Sequence, residues 1–169
     1  MMLPSNFLLS LDDVTLQWAD ISWAYANKLI GWNVPVDVAN ARLDAGLTKD
    51  LLEIQLSQIR KDEGWKVGEL VKQLGERDNI PLYLSKQKWM FLTILWLYEN
   101  YATNINNFFD NIAEVYADFD YPEEISQFVG YMPPNDGYDP SSHTLEENQK
   151  RMLQKCKEYL DKYRLHLFQ

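Results

Sequence analysis

The chain has 169 residues, 25 of them acidic and 16 basic, for a formal charge of −9; 46% are hydrophobic and 24% charged. This is the size and composition of one globular domain over residues 1–169, and it excludes disordered and fibrous classes. Such a chain buries roughly 70% of its unfolded surface, so its core needs neither a disulfide nor a structural metal.

Hydrophobic periodicity is helical almost throughout, which predicts an all-α, compact multi-helix domain. The first eighteen residues are the exception. Phe7, Leu9 and Leu11, then Val14, Leu16 and Trp18, recur with a period of two, and this reads as a short N-terminal hairpin turning at Asp12 and Asp13. Asp20 is placed to cap a helix running to about Ile30. Pro35 suits the first turn of another that ends at Gly46, and Thr48 is placed to cap a third through Ile59.

Val67, Leu70, Val71 and Leu74 fall at i, i+3, i+4 and i+7, one apolar face of an amphipathic helix. From Trp89 to Tyr101 the chain is apolar almost all round, which predicts the central helix of the bundle. Ile105, Phe108, Phe109 and Ile112 repeat the amphipathic spacing, with Tyr116 one turn on, and so do Ile125, Phe128, Val129 and Met132. Pro133 to Ser142 reads as a surface loop. Thr144 followed by Glu147 forms a capping box, and Met152, Cys156, Tyr159, Tyr163 and Leu167 then line one stripe of a long terminal helix.

The charge is unevenly placed. From Trp89 to Gln149 there are eleven acids and no Lys or Arg, while the rest of the chain has 14 acids against 16 bases. Asp110, Glu114 and Asp118 are spaced four apart on the helix face opposite Phe108 and Ile112, and Asp120, Glu123 and Glu124 follow around Pro122. Two readings are open: a solvated face that keeps the protein dispersed, or a patch whose summed field attracts a basic protein partner. Tyr121, Tyr131 and Tyr138 fit no apolar stripe well, and tyrosine beside charge suits the anchor role at an interface, which is assigned to Tyr121 and Tyr131.

Other chemistry is poorly represented. Cys156 lies on an apolar stripe, where a thiol behaves as a small hydrophobe, and a lone cysteine fits a reducing compartment. Carboxylates on facing helices can hold metal ions, but neither His143 nor His166 follows a Glu by three residues as bundle sites usually require. The sequence contains no GxGxxG and no P-loop, so no cofactor is expected. The acidic balance argues against nucleic acid. The longest apolar run is about half a membrane span, and the N-terminus lacks the basic start of a signal peptide, so a cytoplasmic location without a membrane is expected.

The run Tyr116-Ala117-Asp118-Phe119-Asp120-Tyr121-Pro122-Glu123-Glu124-Ile125, continuing through Phe128-Val129 and Tyr131-Met132-Pro133, resembles a bacterial family called domain of unknown function 2247. Trp96-Leu97-Tyr98-Glu99-Asn100 and Asp20-Ile21-Ser22-Trp23-Ala24 are similar as well, so the likeness covers most of the chain. The family implies a bacterial single-domain protein and no catalytic residues. By type, not by motif, a small acidic protein of this kind looks like the immunity proteins that neutralise toxins. The expected function is a non-enzymatic protein-binding module, an immunity protein whose site comprises Asp110, Glu114, Asp118, Asp120, Tyr121, Glu123, Glu124 and Tyr131, with a basic toxin as partner. The alternatives are a carboxylate-dependent metal hydrolase and a self-associating scaffold.

Overall fold

Every regular element in the computed structural model, which describes residues 1–168, is helical: eight α-helices and three 3-10 segments, with no strand among the described residues. By contact density the chain divides into two compact units, Met1–Trp89 and Met90–Gln169, with the division falling inside one helix.

The first unit contains α1 (Ser5–Leu9), α2 (Trp18–Ala26), α3 (Asn33–Asp44), α4 (Leu51–Ser57), a 3-10 segment (Lys61–Lys66), α5 (Val67–Glu76) and the start of α6 (Leu82–Tyr101). The expected N-terminal hairpin is replaced by α1 and a turn at Asp12 and Asp13. Phe7 and Leu8 are sequence neighbours and both are buried. A strand would send them to opposite faces, whereas one helical turn buries both. Residues 14–17 then run without regular structure.

Asp20 is not the cap of α2. It stands three residues into the helix, where its Oδ2 accepts the Gln17 N–H at 2.9 Å. Its carboxylate is fully buried and also takes the Ser85 hydroxyl at 2.7 Å and the Lys88 ammonium at 2.9 Å, while the Trp89 indole donates to the Asp20 carbonyl at 2.7 Å. Two charges sealed from water are tolerated when each is paired and hydrogen-bonded. Gly75 lets α5 approach α2 closely, since a Cβ there would stand 2.8 Å from that of Ser22.

Thr48 likewise yields its expected capping role to Asp50, whose Oδ1 accepts the N–H groups of Leu52 and Glu53. The Thr48 hydroxyl donates instead to the buried Glu53, which Arg42 also pairs. Burial pushes the Glu53 carboxyl up, but Arg42, Thr48 and the nearby Trp18 indole outweigh it and hold it below its usual range. The ends of α2 and α3 share one closure. In α3, Gly46 N–H returns to Leu43 O at 3.0 Å and Leu47 N–H to Arg42 O at 2.9 Å; in α2 the same two bonds are made by Lys28 and Leu29. The first non-helical residue must then turn left-handed, which Gly46 does at φ 71° and Lys28 at φ 59°.

The second unit contains the rest of α6, α7 (Ile105–Asp118), a 3-10 segment (Glu123–Phe128), a short 3-10 turn (Pro140–Ser142) and α8 (Leu145–Leu167). The apolar run of α6 is buried as its composition requires: Trp89, Phe91, Leu92, Ile94 and Leu97 have no exposed surface. The helix starts seven residues earlier than the apolar run, through the polar segment that carries Ser85 and Lys88. Residues 123–128 form a 3-10 segment, not the expected α-helix. Ile125 and Phe128, three residues apart, eclipse one another in that geometry and both are buried. Thr144 caps α8 as its spacing predicts, accepting the Glu147 N–H at 3.1 Å and donating its own N–H to Glu147 at 3.0 Å. Cys156, Tyr159 and Leu160 turn inward from α8, where the Tyr159 ring meets Phe128 at 5.6 Å and Phe91 at 6.3 Å.

The 133–142 loop is fastened to α8. Tyr138 lies between the stacked His143 ring at 4.6 Å and the Arg151 guanidinium at 4.1 Å, and its hydroxyl donates to Asn148 at 2.6 Å. Asp136 accepts from Arg151 on the same side.

Candidate functional site: an acidic surface with two tyrosines

Because α7 buries Phe108, Ile112, Val115 and Tyr116, its opposite face must carry Asp110, Glu114 and Asp118, and all three are exposed. The helix ends by the same closure as α2 and α3, with Asp120 N–H returning to Ala117 O at 3.2 Å and Tyr121 N–H to Tyr116 O at 2.7 Å. Here two successive residues that are not glycine turn left-handed, Asp120 at φ 65° and Tyr121 at φ 58°. Each such residue costs roughly 1 to 2 kcal/mol, so this corner is strained. It folds the chain back at once, and Pro122 with its extended backbone leads into the 3-10 segment that exposes Glu123 and Glu124.

The corner also gathers tyrosines. The buried Tyr116 ring meets Tyr121 edge-on at 5.2 Å and Tyr131 at 6.2 Å, so two of the three tyrosines that fit no apolar stripe stand on one shared base, while Tyr138 packs on His143 and Arg151. Their outer surfaces are open, with Tyr121 62% and Tyr131 63% exposed. All six acids of the sequence reading are exposed. Among the described residues Asp110, Glu114, Asp118, Glu123 and Glu124 have no ion-pair partner. The bases of this unit all lie on α8, where Arg151, Lys155 and Lys157 pair with Asp136, Glu158 and Asp161 instead. Burial pushes the Tyr159 phenol well above its ordinary range, with Tyr163 and Glu124 adding to the effect.

Other chemistry finds little to stand on. Burial pushes the Cys156 thiol up to about 12, which keeps it protonated and unreactive at neutral pH. His143 pairs with Glu147 at 3.2 Å, and His166 contacts the Lys162 carbonyl at 2.8 Å. Among the described residues no three His, Cys, Asp or Glu side chains come together as a metal site. Nor is any described helix long and apolar enough to cross a membrane.

One surface feature escaped the sequence reading. Trp65 is 79% exposed and walls a cleft of about 750 Å³ in the first unit, floored by Ile59 and Leu70 and rimmed by Arg60 and Lys66. Its signal was present: a tryptophan isolated in the polar run Lys61-Asp62-Glu63-Gly64-Trp65-Lys66, with no apolar partner at helical spacing.

Residues 8–164 match the family described as an uncharacterized protein conserved in bacteria (DUF2247). The chain belongs to this family. No curated protein and no solved structure matches it.

Proposed function

We propose that this family member is a non-enzymatic, cytoplasmic protein-binding module, an immunity protein that neutralises a basic toxin. The observation that supports the reading is the set of five exposed carboxylates without ion-pair partners, beside two exposed tyrosines. Surface acids in folded proteins commonly sit beside a base. A group of them without ion pairs keeps its field available to a partner, and that field accelerates encounter in a salt-dependent way.

In this reading Asp110, Glu114, Asp118, Asp120, Glu123 and Glu124 supply charge complementarity, and Tyr121 and Tyr131 anchor the partner through desolvated ring surface. A nuclease toxin fits the chemistry, because a site that binds phosphate is basic and a carboxylate surface mimics its substrate.

The test is capture from the source bacterium's lysate at low and at high salt, with the bound proteins identified and then titrated against the variant Asp110→Asn, Glu114→Gln, Asp118→Asn. The expected result is a basic protein with a toxin domain, retained at low salt, whose affinity and salt dependence both fall in the variant. Equal affinity and an equal salt slope for the variant would remove the acidic surface from the interface. A partner that is itself acidic would overturn the toxin reading.

A further inference from the structure

The period-two residues Val14, Leu16 and Trp18 form no hairpin, yet their spacing has a structural outcome in the first unit. In the irregular segment before α2, Thr15 and Leu16 wall two adjoining cavities of about 230 and 210 Å³. The two share Thr15, Leu16, Ile21, Val38 and Arg42, so they adjoin along one wall. One end is apolar, closed by Leu8, Leu9 and Val14. The other is rich in donors.

At that end Arg42 donates through Nε to Glu53, which leaves its terminal nitrogens for a second acceptor. Trp18, itself 9% exposed, lines the same end with its ring, while its indole nitrogen is sealed from the cleft beside Glu53. Of the neighbouring acids, Glu53 is held by Arg42 and Thr48, and Asp78, which accepts the Ala19 N–H at 2.8 Å, lines only the cavity of about 230 Å³. A guanidinium fork matches a carboxylate.

From this geometry we infer that the cleft binds an aliphatic monocarboxylate, its carboxylate on Arg42 and its chain along Leu16, Ile21 and Val38. The apolar walls disfavour a phosphate, which would surrender its hydration there, and the arginine disfavours an amine. This site is separate from the acidic surface of the second unit and stands or falls independently of the toxin reading.

The test is a titration of the full chain, followed by NMR chemical shifts, with octanoate, 1-octanol and octylamine. Octanoate should bind saturably and about tenfold more tightly than octanol, and octylamine should not bind. Arg42→Lys keeps a charge on Glu53 but loses the fork, so it should remove the preference for octanoate while leaving octanol unchanged. Val38→Phe narrows the half-buried cleft and should abolish binding of both. Leu16→Asp, on the open wall, should repel octanoate without touching the core. Equal binding of the three probes, full octanoate affinity in both Val38→Phe and Leu16→Asp, or no saturable octanoate binding at millimolar concentration would each overturn the inference.

Discussion

The two units handle charge in opposite ways. The first has 12 acids and 10 bases, and it takes charge inside: Asp20, Glu53 and Lys88 are the charged side chains buried among the described residues. The second has 13 acids and 6 bases, and its buried polar side chains are the neutral Thr93 and Ser126. A charge paired in the interior fixes a fold, because a wrong packing leaves it without a partner. A charge left outside fixes nothing locally and is free to act at a distance.

The sharpest way to break the comparison is to remove one buried partner. Lys88→Ala leaves Asp20 charged, buried and short of its ammonium, and should lower stability by about 3 to 5 kcal/mol in urea unfolding of the full chain. A loss below about 1 kcal/mol would mean that water reaches Asp20, and the distinction between inside and outside charge would fail.

Acid should separate α3 and α4 from α7 next. The Glu53 carboxyl is held below its ordinary value of 4.5, and Asp50, hydrogen-bonded by Arg77, below 3.8. A folded pKa below the unfolded one means stability that is complete above the ordinary value and lost as the pH falls through the folded one. Glu53 and Asp50 hold α3 and α4, whereas the lowered carboxyls of the second unit, Asp136, Asp139 and Glu147, lie in the loop before α8 and in its first turn, and the acids of α7 face only one another's charge. Hydrogen exchange between pH 5 and pH 3 should therefore show protection falling in α3 and α4 before α7, and the reverse order would refute the assignment.

The smallest effect concerns the α7 face. Replacing Asp110, Glu114 and Asp118 by Asn, Gln and Asn removes two like-charge pairs at i, i+4 and should raise stability by roughly 0.4 to 1 kcal/mol. Thermal unfolding at low salt would show it. A loss of stability would mean that these acids hold the fold together, which contradicts a face kept for a partner.

This contrast also explains what could be read from the sequence. α5, α7 and α8 were legible because one apolar stripe faces one core, and Thr144 with Glu147 marked an end that needs no tertiary context. The acidic surface was legible for the same reason, since the side opposite a stripe must be exposed. The buried charges hid their surroundings. Lys88 precedes the apolar run that marks α6, and nothing local reveals that it meets Asp20, 68 residues away. Asp20 read as a cap, although its neighbours Ser85 and Lys88 belong to a distant helix. Thr48 and Asp50 are both good capping residues, and only the position of Glu53 decides between them. The meeting of Tyr121 and Tyr131 over Tyr116 depends on a corner whose left-handed residues are not glycine, so no glycine announced it.

That corner has an evolutionary consequence. Of the three left-handed helix ends, the one at Gly46 carries the residue that pays no steric penalty there, and drift alone would bring Gly or Asn to positions 28 and 120 as well. Position 121 is different. A glycine there would relax the backbone and delete the ring, so on the proposed function relatives should keep an aromatic residue at 121 in spite of its strain.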